Sequence, residues 1–169
     1  MGGMIPLILF GLVFAPPVVQ GGTLTFTKPA GWTERAPASS MRVAELVVPK
    51  ASGDPEDGEL IVYYFGGGGG SVEANLQRWT SQFESAKAPI RTSSVVNGLT
   101  LTSLDVSGTY VAEMSPGSTE RHNKPGFRMR ATVVETAKGP YFIKLTGPSA
   151  TIDKAGAAFD QFLQSLAFR

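Results

Sequence analysis

Hydrophobic and polar positions alternate with the period of a strand in several stretches of the chain and with the period of a helix in two. Leu24 and Phe26 alternate with Thr23, Thr25 and Thr27, which predicts a short strand ended by Pro29 and a turn at Gly31. Val43–Val48 predicts a second strand, stopped by Pro49. The run Leu60–Phe65 is aliphatic or aromatic at every position, so both of its faces should be covered, as in an interior strand between helical layers. Five glycines, Gly66–Gly70, then lead into a helix predicted over Ser71–Ala86, with Ser71 as its N-cap. Val72, Leu76, Trp79 and Phe83 fall on one stripe of that helix, which packs it on the sheet.

The second half of the chain reads as long strands and a closing helix. Arg91–Val96 and Leu99–Val111 flank Asn97-Gly98, whose tolerance of positive φ predicts a two-residue hairpin. Phe127, Met129, Ala131 and Val133 alternate with Arg128, Arg130, Thr132 and Val134 in a strand over Phe127–Thr136. Pro140–Thr146 is the next strand, joined through a short link and so antiparallel to it. After Gly147-Pro148 a helix begins, with Ser149 or Thr151 as cap and Ile152, Ala155, Phe159, Phe162 and Leu166 on its inner face. Strand runs with inserted helices, without regular βαβ alternation, indicate an α+β fold on an antiparallel sheet.

The segment Phe26-Thr27-Lys28-Pro29-Ala30-Gly31-Trp32 resembles the extended Pro-x-Gly-Trp opening of many PsbP-like domains. The C-terminal stretch Phe159–Phe168 is similar to the closing helix of the same group, and the element order agrees over roughly residues 23 to 168. The resemblance implies an αβα sandwich in which an antiparallel sheet of about six strands carries helices on both faces. It also implies a role in binding proteins rather than in catalysis, because the characterised members, an extrinsic photosystem II protein and a Ran-binding nuclear import factor, act in that way. No stretch matches the docking residues of either, so neither specific function is implied.

Composition narrows the picture. Residues 1–21 carry no charge, and Met4–Ala15 is apolar apart from Pro6. A bilayer of roughly 30 Å takes about 20 apolar residues, so this stretch is too short to span it and reads as a secretory leader cut at Gly21/Gly22, although it lacks the usual basic start. The expected domain organisation is a signal peptide over 1–21 and a single domain over 22–169, with no stable membrane span once the leader is removed. The chain has no cysteine, which excludes thiol redox chemistry and lipid anchoring. With 15 Lys and Arg against 14 Asp and Glu, its net charge of +1 gives no field for a nucleic acid.

Four places could carry chemistry. Arg121, Lys124, Arg128 and Arg130 put four cations within ten residues, a patch able to dock an acidic partner surface. The alternative is a solvated loop whose Arg stems cover the sheet edge. Gly68, Gly69, Gly70 and Ser71 could hold an anion at a helix N-terminus, but the Lys of a Walker loop is missing and Glu73 opposes a phosphate. The competing reading is a simple strand-to-helix connection. Asp54, Glu56, Asp57 and Glu59 could gather a cation, but the EF-hand order fails and a solvated turn is the alternative. His122 is the sole histidine, so a His/Cys zinc site is excluded, and without a Gly-x-Ser-x-Gly elbow no serine triad is indicated. Trp32 and Trp79 sit in apolar patterns and read as core. The expected function is thus an exported, secreted or periplasmic, non-catalytic binding protein for an unidentified envelope protein or complex. It needs no cofactor and no metal; a small-ligand or ion carrier, and after it a hydrolase, are the alternatives.

Overall fold

A computed structural model describes residues 18–21 and 24–169; most of the leader read from the sequence lies outside the described residues. The principal sheet has eight strands and is antiparallel throughout. Its order is β3 (Thr33–Arg35), β4 (Arg42–Val48), β5 (Gly58–Tyr64), β10 (Tyr141–Pro148), β9 (Lys124–Glu135), β8 (Leu99–Tyr110) and β6 (Phe83–Glu84), with β7 (Ile90–Val96) also paired to β8. A smaller antiparallel sheet joins β1 (Val18–Gly21), β2 (Leu24–Thr27) and β11 (Ala167–Phe168). The α+β reading holds, while the sheet is larger than the six strands expected. The added strands are short pieces: β3 has three residues and β6 has two, below the length at which alternation can be read.

Helices α1 (Val72–Thr80), α2 (Ser149–Lys154) and α3 (Gly156–Gln164) lie on opposite faces of the principal sheet. On one face Ile152, Phe159 and Phe162 pack with Leu60, Val62, Leu101, Ile143 and Leu145, and β2 adds Leu24 and Phe26. On the other, Leu76 and Trp79 pack with Met129, Ala131, Val133 and Phe142. Strand β5 contributes to both, as its all-apolar pattern requires: Leu60 and Val62 face the C-terminal helices, and Tyr63 faces α1. Both tryptophans are core, with Trp79 edge-on to Phe142 at 6.4 Å.

Asn97 and Gly98 both have positive φ, 48° and 78°, as the hairpin requires. The glycine run is held by packing. A Cβ at Gly69 would stand 2.6 Å from the Phe142 ring, and one at Gly139 2.5 Å from Gly67, so the loop lies flat against the sheet only because these residues lack side chains.

Two helices differ from their patterns. α1 begins as expected, with the Ser71 hydroxyl accepting from Ala74 N–H, but ends at Thr80 rather than Ala86. Thr80 and Ser81 donate their hydroxyls to the carbonyls of Leu76 and Arg78, and Gln82 N–H turns to Trp79 three residues back. Phe83 is still buried, but from β6, where it pairs with Tyr110. The C-terminal helix is two helices meeting at Ala155, whose N–H bonds back to Thr151, and Gly156 opens the second. Its inner stripe is buried as expected. Neither Ser149 nor Thr151 acts as the N-cap. Asp54 instead accepts from both the N–H and the hydroxyl of Thr151, a cap supplied from another segment.

Candidate binding site

The four cations expected to form one basic patch are divided. Arg121 is exposed on the loop before β9 and donates weakly to the Val111 carbonyl at 3.4 Å. Lys124 pairs with Glu56 at 2.6 Å and lies over the Phe127 ring. Arg128 and Arg130 share the sheet face that carries α2 and α3, as strand alternation predicts. Arg128 forms a two-point contact with Asp105 and a further pair with Asp153. The Asp105 hydrogen bonds hold its guanidinium pKa above the usual arginine value against burial, and Asp153 adds to them. Arg130 bonds Asp160 at 2.6 Å and stacks over Phe159 with its guanidinium carbon 4.7 Å from the ring centroid. Three of the four therefore have carboxylate partners, and the patch is not a single cationic surface.

The other expected sites are absorbed into the fold. Ser71 spends its hydroxyl on the cap, and the cavity of about 300 Å³ beside Gly70 and Ser71 is lined also by the acidic Glu135 and by no cation. In the acidic turn Asp54 caps α2, Glu56 pairs with Lys124, Asp57 accepts from Lys50 N–H, and Glu59 pairs with Arg35. No group of three or more His, Asp or Glu residues converges on a metal position among the described residues. His122 stacks on Tyr110 at 5.4 Å.

The structure draws together a different site from β7, β8, β9 and α3. A groove of about 130 Å³ opens beside strand β7, lined by Ile90, Thr92, Ser103, Asp105, Arg130 and Phe159. Thr132 lies in its floor, its hydroxyl 2.8 Å from that of Ser103. Of the candidate site residues read from the sequence only Arg130 lines this groove, with Arg128 bonded to its wall at Asp105.

The groove adjoins an open sheet edge. In a two-residue hairpin the residues flanking the turn exchange both backbone bonds, so Val96, Ser94, Thr92 and Ile90 bond inward to β8. Arg91, Ser93 and Val95 then direct their N–H and C=O groups outward, away from the sheet. Six of the seven β7 residues are exposed, Ile90 at 62% and Val95 at 70%. Natural edges are blunted by charges, prolines, bulges or shortness. Here the single charge, Arg91, is drawn across to Glu73 of α1, and the pairing with β8 is unbroken over seven residues. The opposite edge, β3, is only three residues long. The sequence marked β7 as a hairpin strand but gave no sign that its far side is open, because that depends on which strands fill the sheet.

No protein-family model matches the chain, and no curated protein matches it. Among solved structures, a protein of unknown function from Pseudomonas aeruginosa superposes with a TM-score of 0.54 at 14% identity, covering 90% of this chain and 96% of that one. Cyanobacterial PsbP from Synechocystis superposes with a TM-score of 0.53 at 14% identity, covering 87% of each chain. The fold of this chain is therefore PsbP-like.

Proposed function

We propose that the protein is an exported binding domain, without catalytic chemistry of its own, which takes an extended segment of an envelope protein as an added strand along β7. The observation that carries this reading is the open seven-residue edge lying against a side-chain groove. Strand addition draws affinity from main-chain bonds and specificity from pockets for alternate side chains, and β7 offers both. The outward groups of Arg91, Ser93 and Val95 supply the bonds. A side chain of the added strand on the α3 face would reach the groove at Thr92, Asp105 and Arg130. The uncharged, apolar stretch before Gly22 supports export.

The test places a photoreactive residue at Val95 in the native host and compares it with the same residue at Glu34 on the opposite edge. A single adduct at position 95, absent at 34 and lost when Ser93→Pro removes an outward N–H, is expected. Equal adducts at both edges, or an adduct that survives Ser93→Pro, would sink the reading.

A further inference from the structure

Two rungs of the principal sheet set the chemistry of the groove beside β7. In the first, Thr92 pairs with Ser103 and Ser103 with Thr132; in the second, Ile90 pairs with Asp105 and Asp105 with Arg130. Directly paired residues share a face, so all of them stand on the side that carries α3. The rung on the far side of Ser103 holds Leu101 and Val134, which fill the space under the helices. The first rung instead has only short hydroxyl side chains, and the room they leave, walled by Phe159 of α3, is the groove of about 130 Å³. A cavity of roughly 150 Å³ holds one benzene molecule, so this groove takes a single side chain.

Both charges in the groove are balanced in place. Asp105 accepts from the Arg128 guanidinium with both carboxylate oxygens, and Arg130 donates to Asp160 at 2.6 Å. A charged guest therefore meets no unmatched counter-charge and loses its hydration. Hydrogen-bonding capacity of both kinds is left. Each Asp105 oxygen has a lone pair beyond the one that Arg128 uses, and Arg130 has N–H groups beyond those aimed at Asp160 and the Gly156 carbonyl. The Ser103 and Thr132 hydroxyls, 2.8 Å apart, use one of their two hydrogens on each other. A neutral group with both donors and an acceptor matches this lining, and among side chains that group is the carboxamide.

We infer that the groove receives the carboxamide of a glutamine on the added strand, with its NH₂ toward Asp105 and its carbonyl toward the Ser103 hydroxyl and the Arg130 guanidinium. This inference rests on the β7 reading. The glutamine stands opposite Thr92, whose own backbone bonds inward, and in such non-hydrogen-bonded pairs the side chains are closest. Neighbouring strands lie about 4.8 Å apart, so the added strand is about 10 Å from β8, which calls for the longer glutamine over asparagine. Added antiparallel, like every other strand of the sheet, the segment places the residue two after the glutamine opposite Ile90 and the residue three before it opposite Val95. Both of those β7 side chains are exposed and apolar. The recognised segment is thus uncharged and extended, with the pattern apolar-x-x-Gln-x-apolar.

The test titrates the full chain with capped peptides that carry valine at the two apolar positions, serine or threonine at the others, and Gln, Leu or Glu at the central one. Binding is followed by NMR at the amides of Arg91, Ser93 and Val95. The Gln peptide should move those amides saturably and bind at least tenfold more tightly than the Leu and Glu peptides, because a site that hydrogen-bonds its guest rejects analogues that leave its groups unpaired. Ser103→Ala and Arg130→Met should each reduce that preference below threefold; Asp160 is mostly in solvent, so the second variant strands no buried acid. Circular dichroism confirms that both variants are folded. Equal binding of the three peptides at the same amides would overturn the glutamine assignment and leave the β7 edge standing. A preference that survives both variants, or a Gln peptide that moves none of those amides, would also overturn it, and in the latter case the adduct at position 95 decides the β7 reading separately.

Discussion

The two faces of the principal sheet differ in how the cations of their central strands are met. On the face under α2 and α3, each arginine that rises from β9 meets an acid: Arg128 meets Asp105 and Asp153, and Arg130 meets Asp160. On the face under α1, the cation at the centre of the sheet meets an amide oxygen from Gln82. Paired charge at the first face fastens helices to strands and has little left to offer a ligand. At the second, burial of the Lys144 ammonium, held only by an amide oxygen, weakens the fold locally. The run of basic residues that stands out in the sequence is thus structural in large part.

The coarsest way to break the comparison is to ask whether each face is a true core. Phe162→Ala on one face and Trp79→Ala on the other remove side chains that are 1% and 2% exposed. Each should cost about 3–5 kcal/mol in denaturant unfolding. A cost below about 1 kcal/mol at either position would mean that its helix does not close that face.

A smaller effect separates the two kinds of charge by pH. The folded-state pKa of Lys144 lies near 8, below its ordinary value of 10.5, so between those values the unfolded chain holds more protons and stability rises with pH. Tyr63 and Tyr110, whose phenols burial raises, act in the opposite sense, but only above about pH 10, where the unfolded phenols ionise. The difference in stability between the protein and Lys144→Met isolates the lysine. The variant should be the more stable at pH 7, by on the order of 2 kcal/mol, and the gap should close between about pH 8 and pH 10. A gap that does not move with pH would mean that the ammonium finds an anion in the folded protein. On the opposite face Arg128→Met should destabilise, since it strands Asp105 and Asp153; with the pair partly exposed, about 1–2 kcal/mol is expected in the same unfolding assay.

Much of this fold is legible in the sequence because its signals are local. Asn97-Gly98 fixes a hairpin, the all-apolar Leu60–Phe65 places β5 between two layers, and Ser71 caps α1. Local signals fail where a contact comes from far along the chain. Phe83 continues the helical stripe, yet Val111 N–H bonds the Gln82 carbonyl and β6 pairs with the end of β8. Gly108 permits that approach, since a Cβ there would stand 2.7 Å from the Glu84 carbonyl. Asp54 reads as a surface acid and caps a helix 97 residues later. The candidate sites are less legible still. Arg130 lies in the groove, but its partners Thr92, Ser103 and Phe159 come from three other elements.

The smallest effect on stability carries the sharpest test of the sheet edge. If the hairpin geometry assigns the backbone of β7 correctly, Ser93 presents its N–H to solvent, and Ser93→Pro removes no ladder bond. Its cost should be within about 1 kcal/mol, the scale of fitting a proline ring into an extended edge. Proline at the inward-bonding neighbour Ser94 should cost about 3 kcal/mol or more, because it deletes a bond to β8 opposite Leu101. Hydrogen exchange supplies the check on the unaltered protein. The amides of Thr92 and Ser94 should be protected and those of Arg91, Ser93 and Val95 should exchange freely until a partner strand is added, at which point only the second set slows. Protection of Ser93 in the isolated protein would show that the edge is already covered, and the contrast between the long open edge of β7 and the short one of β3 would then lose its functional meaning.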